Sequence, residues 1–210
     1  MSVASVDESH SRFDRAIAAI DAANDADPNQ VEWAGARHPK ERLHAERASH
    51  WLSILAPEAD ELLRLAVRAH HLRRWQLPRG DYPAGRAGYH AWRTELQRRH
   101  AAGAAEILER CGYSPDEIDR VSALIRKRGL GRDPDARHFE DSLCLVFVET
   151  QLESFAAGHP EEKVVSILAR TLPKMSEGAR SLAAELCDSE SLRRLLERAV
   201  EQLQARTQGA

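Results

Sequence analysis

Apolar residues recur three and four positions apart along almost the whole of this 210-residue chain, and alternation with a period of two is nearly absent. That spacing puts one apolar stripe on each of a series of helices and excludes sheet architectures, so the expected fold is all-α. Breaks at DADPN, Ala56-Pro57, QLPRGDYPAGRAG, Gly112, RGLGRDPDA and GHPEE divide the pattern. They delimit helices at about Ser9–Asn24, Pro39–Leu55, 58–75, Tyr89–Cys111, a fifth from Pro115, Arg137–Ala157, a seventh after GHPEE, and two more in SEGARSLAAEL and DSESLRRLLERAVEQLQ. Ser114, Pro115 and Glu117 form a capping-box signature for the fifth. QVEWAGARHPK reads as a looser connection. The expectation is one helical domain over residues 1–210, a bundle of about eight or nine helices. Its core spans about 10–187, with a peripheral C-terminal helix at about 189–206.

The net charge of -3 argues against wholesale nucleic-acid binding through a basic surface. Three cysteines, Cys111, Cys144 and Cys187, show no CxxC spacing, which excludes a zinc ribbon or redox dithiol. Cys144 and Cys187 sit in apolar runs and read as buried thiols. MSVASVDESHSRFD lacks the basic and apolar parts of a secretory signal. LCLVFV, the longest apolar run, is too short to span a bilayer. A cytoplasmic location is the expectation.

Candidate chemistry emerges where polar groups fall on apolar faces. His44 shares its face with Ala48, Trp51 and Leu55; His71 follows Val67, and His70 follows Ala66. His100 lies with Trp92, Leu96, Gly103 and Ile107, and Asp141 with Cys144, Leu145 and Val148. A buried carboxylate needs a compensating partner, and a cation is a common one. Imidazole nitrogens with a carboxylate oxygen suit one divalent transition metal (zinc, manganese, iron or nickel) better than calcium. The expected ligands are His44, His71, His100 and Asp141, with the choice between His70 and His71 open. His10, His38, His90, His138 and His159 fall in loops or near helix ends and read as solvated or capping groups.

From Arg64 to Arg99 there are nine arginines, no lysine, and only Asp81 and Glu95 as acids. Guanidinium forks bind phosphate or carboxylate at two points. Arg74, Arg79 and Arg93 lie nearest the candidate ligands in sequence. Together with His70, Tyr82 and Tyr89 they are the expected substrate-binding set. The alternative is a salt-bridged helical surface in which these arginines pair with Glu41, Glu46, Glu58, Glu61 and Glu106.

The strings PKERLHAERASHWL, LRLAVRAHHLRRWQLPRGDYPAGRAGYHAWRTEL, HAAGAAEIL, CGY, EDSLCLVFVE and KMS resemble the domain-of-unknown-function 4202 family from about Phe13 to Gly178. A more distant similarity is to the HD-domain metal-dependent phosphohydrolases, all-α enzymes that act on phosphate esters, often of nucleotides. In that resemblance His44 matches the first histidine, His70-His71 the HD dipeptide, His100 an additional histidine and Asp141 the distant aspartate. The dipeptide here is HH, which argues for one metal over two. KMS at Lys174–Ser176 matches only three residues of a synthetase loop, with no parallel sheet around it, and is set aside.

The function these features imply is metal-dependent hydrolysis of a phosphorylated small molecule, nucleotides included, with Glu46 or Glu140 as general base. The competing expectation is a non-catalytic helical module built on a decayed HD-like site. It would bind an anion, a protein or, less favoured, RNA. An anionic small molecule is the expected partner, and no membrane is expected.

Overall fold

The computed structural model describes residues 11–129 and 131–208, so His10 lies outside the described residues. The fold is all-α apart from one hairpin. Within the described residues the chain divides into two compact units, the first made of residues 11–46 and 59–129, the second of 47–58 and 131–208.

In the first unit, α1 (Arg12–Asp25) starts at a capping box between Ser11 and Asp14. The stretch read as a loose connection is a hairpin, β1 (Gln30–Trp33) against antiparallel β2 (Ala36–Pro39). Its two turn residues, Ala34 and Gly35, have φ of 50° and 79°. This left-handed pair matches the twist of a two-residue hairpin. Alanine at the first turn position carries none of the usual Asn-Gly signal, so the sequence does not announce the turn. The hairpin brings Asp27 back to the start of α2 (Lys40–Leu55), where its carboxylate accepts the Glu41 amide at 3.0 Å.

The helix expected over 58–75 is shorter. It runs as α3 (Glu61–Arg68), capped by Asp60, and is followed by turns. Arg73 takes a left-handed conformation (φ 52°) and donates its amide to Asn24 Oδ1 at 3.1 Å. A buried asparagine at the end of α1 thus supports a chain reversal that neither glycine nor proline marks. The next helix, α4 (Gly85–Arg110), begins one turn before the expected start. α5 (Pro115–Ile125) begins at Ser114, with Pro115 in its first turn and the Ser114–Glu117 capping box formed. α3 and α4 both pack on α5. Ile20, Leu63, Leu65, Leu96, Ile107, Leu108, Val121 and Leu124 are buried.

In the second unit, the helix expected over Arg137–Ala157 is two. α6 (Pro134–Thr150) ends at Gln151, and α7 (Leu152–Ala157) follows. α8 (Glu161–Thr171), α9 (Glu177–Leu186) and α10 (Glu190–Gln208) complete it, with α10 packed on α8 and α9 on α6. Ser176 of KMS is the N-cap of α9, a structural use of that tripeptide. Cys144 and Cys187 are buried free thiols, as expected. Among the described residues no helix is long and apolar enough to cross a membrane.

Candidate metal centre

The first turn of α2 carries Glu41 and His44 on one face, three residues apart. Asp27 fixes the backbone of that turn. His71 comes from the chain just beyond α3, placed by the Asn24-supported reversal. The three side chains converge, each offering one ligand atom within 4.8 Å of the others. Glu41 Oε2 lies 3.2 Å from His71 Nδ1 and 3.5 Å from His44 Nδ1. Glu41 and His44 are buried, while His71 keeps 32% of its side chain open.

Electrostatics follow from this packing. Burial opposes ionisation of Glu41, but hydrogen bonds from His44 and His71 hold its carboxyl well below the usual range. Burial also pushes the His71 imidazole well below its ordinary value, helped by neighbouring His70 and opposed by Glu41. Arg74 Nε sits 3.7 Å from Glu41 Oε1, and its guanidinium lies 4.9 Å from the centre of the Trp92 ring. Burial lowers the Arg74 pKa, Glu41 offsets this, and Arg93 adds to the lowering.

Two further imidazoles adjoin the triad. The His70 and His71 ring centres are 4.1 Å apart, and those of His71 and His100 5.7 Å. His70 Nδ1 lies 2.8 Å from the Val67 carbonyl, and His100 Nδ1 2.8 Å from the Leu72 carbonyl. A carbonyl only accepts, so both Nδ1 atoms carry the proton. Burial brings the His70 pKa down to about 3 and that of His100 to about 4. Both rings are therefore neutral near pH 7, and each Nε2 bears a bare lone pair. The Nε2 of His100 is buried with no hydrogen-bond partner. A buried acceptor left so costs about 1–3 kcal/mol.

The other expected site residues have structural partners. Asp141 belongs to the second unit, where Oδ1 accepts the Ser176 amide at 2.8 Å and Oδ2 is buried without a hydrogen-bond partner. Glu140 is buried in the same unit. Glu46 accepts from Arg42 at 2.7 Å and lies 3.6 Å from Arg68, on an ion-pair network rather than in the triad. Arg79 donates to the carbonyls of Tyr82 and Pro83 at 2.8 and 2.9 Å, tying its own loop. Tyr82 packs against Leu77, Trp92 and Leu96. Tyr89 is exposed, and Arg93 donates to its hydroxyl at 3.4 Å.

The profile of a domain of unknown function (DUF4202) matches residues 14–196. The chain belongs to that family. No curated protein and no solved structure matches it. In this DUF4202 chain the residue that sequence reasoning missed is Glu41, read there only as a counter-ion for arginines. Arg74 does approach it, so that assignment holds in part. The signal for a larger role was its position one helical turn before His44 in KERLHAER, on the face that becomes buried.

Proposed function

We propose that this DUF4202 protein is a metal-dependent hydrolase acting on a phosphorylated small molecule, with Glu41, His44 and His71 holding one divalent transition metal. The observation that carries the proposal is the convergence of these three donors from two parts of the chain, with an arginine beside them. Two imidazoles and a carboxylate suit zinc, manganese, iron or nickel better than calcium. Such an ion, when bound, supplies Lewis acidity and makes a coordinated water more acidic. Arg74 and Arg93 supply the positive charge that holds an anionic ester beside the triad. Glu41 is the ligand carboxylate in this scheme, since its Oε2 lies 3.2 Å from His71 Nδ1 and 3.5 Å from His44 Nδ1. The scheme agrees with the HD-domain resemblance at His44 and His71 and departs from it in the carboxylate.

Elemental analysis after gentle purification tests it. Near-stoichiometric metal is expected in the wild type, with loss in Glu41→Gln and His71→Ala, together with metal-dependent release of phosphate from a panel of monoesters. Wild-type protein that takes up no such ion on reconstitution defeats the proposal. One observation favours the non-catalytic alternative: His44, His71 and Arg74 together give the Glu41 carboxylate polar and charged partners from the chain itself. That alternative predicts metal-free protein whose melting temperature rises with added phosphate.

A further inference from the structure

A cavity of about 290 Å³ lies beside α4 in the first unit. Leu72, Leu77 and Leu96 line it, and all three are buried, so its floor is apolar. Gly103 lets α4 run close to the turn that carries Leu72 and Arg73, since a Cβ there would stand 3.1 Å from the Leu72 side chain.

Two opposite charges line the same space, half-buried Arg73 from the turn beyond α3 and exposed Glu106 from α4. Among the described residues neither side chain makes a hydrogen bond or an ion pair, with the other or with any neighbour. Arg73 is nonetheless held in place. Its φ is 52°, and its amide donates to Asn24 Oδ1 at 3.1 Å. A non-glycine residue kept in that conformation is strained, and such positions cluster at ligand sites. The other two guanidiniums of the wall, those of Arg98 and Arg99, are engaged by Glu95 at 2.8 Å each.

This pair of charges selects the occupant. A simple anion meets Arg73 but is opposed by Glu106. A simple amine meets Glu106 but is opposed by Arg73. A zwitterion with an apolar remainder satisfies both and lays carbon on the leucines. A free amino acid has that pattern. The guanidinium fork donates two hydrogen bonds to its carboxylate, and the Glu106 carboxylate accepts from its ammonium group. The volume falls just below the range of about 300–1,000 Å³ usual for ligand pockets, which suits one amino acid better than a peptide.

We infer that this cavity binds a free α-amino acid with an aliphatic side chain, Arg73 holding the carboxylate and Glu106 the ammonium group. The inference does not rest on the hydrolase proposal, since neither residue belongs to the triad. The test uses the full chain in calorimetric titrations with L-leucine, 4-methylpentanoate, 3-methylbutylamine and leucyl-leucine. Leucine is expected to bind about tenfold or more tightly than 4-methylpentanoate, which lacks the ammonium group, and than 3-methylbutylamine, which lacks the carboxylate. Glu106→Gln is expected to weaken leucine about tenfold and to leave 4-methylpentanoate unchanged or tighter. Arg73→Asn, which keeps a residue tolerant of positive φ, is expected to weaken leucine as much and to leave 3-methylbutylamine unchanged or tighter. Loss of structure would not produce these opposite selectivities. Should Arg73→Asn not fold, Glu106→Gln decides alone. The inference is overturned if leucine does not bind, if a singly charged analogue or leucyl-leucine binds as tightly, or if the folded variants bind leucine as the wild type does. Protein that takes up no metal yet binds leucine in a Glu106-dependent way would defeat the hydrolase proposal alone.

Discussion

Two polar clusters of the first unit solve the same problem by different means. In one, Asp21 accepts a two-point fork from Arg68 at 2.6 and 2.9 Å and a third contact from Arg42 at 3.2 Å. In the other, Glu41 is met by two imidazoles and, more loosely, by Arg74. Both clusters bury a carboxylate. A guanidinium has no lone pair and keeps its charge at any working pH, so the Asp21 cluster can only hold α1, α2 and α3 together. A neutral imidazole has a lone pair on one ring nitrogen, so the Glu41 cluster can offer nitrogen and oxygen donors to a cation. Arginine partners make a carboxylate structural, and histidine partners leave it available to a ligand.

The largest expected effect of a single substitution comes from breaking the arginine cluster. Asp21→Ala leaves Arg68, whose side chain is 12% exposed, without its fork. Removing one partner of a buried ion pair costs about 3 kcal/mol or more. Urea unfolding of the metal-free protein should show that loss, while metal affinity of the remaining folded protein stays unchanged. An equal loss of metal affinity would erase the division between the two clusters.

The sequence made some of this legible. Helical spacing puts His44 and His100 on apolar faces that become interior, while His70 and His71 reach the same unit from the turns beyond α3, His70 buried and His71 half-buried. The α5 start was fixed by Ser114, Pro115 and Glu117, a local signal with a local outcome. What escaped was set by distant partners. The early end of α3 depends on Arg73 adopting a left-handed conformation against Asn24, about fifty residues earlier in the chain. The hairpin depends on Ala34 accepting a positive φ. Glu41 looked like one more surface acid, because its burial follows from Asp27 and the hairpin that carries it. Asp141, read as a ligand from its apolar face, supports the start of α9 through the Ser176 amide.

Acid separates the two kinds of cluster along the pH axis. His70 and His100 have folded pKa values of about 3 and about 4, below the ordinary 6.5, because burial disfavours the charged ring. The unfolded chain therefore takes up protons first as pH falls below about 6.5, and stability declines from there down to the folded values. The carboxylate forks act later. Arg12 donates to Glu117 at 2.7 and 3.1 Å and holds its carboxyl at about 2, so this contribution is present above about 4.5 and lost as pH falls from there towards 2. Chelator-treated protein should lose roughly 2.5 kcal/mol between pH 7 and pH 4.5 for each of these two imidazoles. A stability curve flat over that interval would mean that these rings do not need to stay neutral in the fold.

The smallest expected effect sharpens the contrast through a residue that touches neither cluster's acid. Ser114→Ala removes the hydroxyl that accepts the Glu117 amide at 3.4 Å and leaves the first turn of α5 uncapped. The usual cost is about 1 kcal/mol. The reciprocal bond, from the Ser114 amide to Glu117 Oε2 at 2.8 Å, survives because it needs only the backbone. Glu117 therefore stays aimed at Arg12, and the loss should fall at the lower end of the range for caps. Because α5 packs on both α3 and α4, a loosened α5 start would reach the imidazoles only by shifting those helices. Equilibrium unfolding should report the small loss, and a competition titration with a chelator should report metal affinity unchanged. A change in metal affinity out of proportion to the loss of stability would show that the α5 start positions His71 or His100, and that the two clusters are mechanically one.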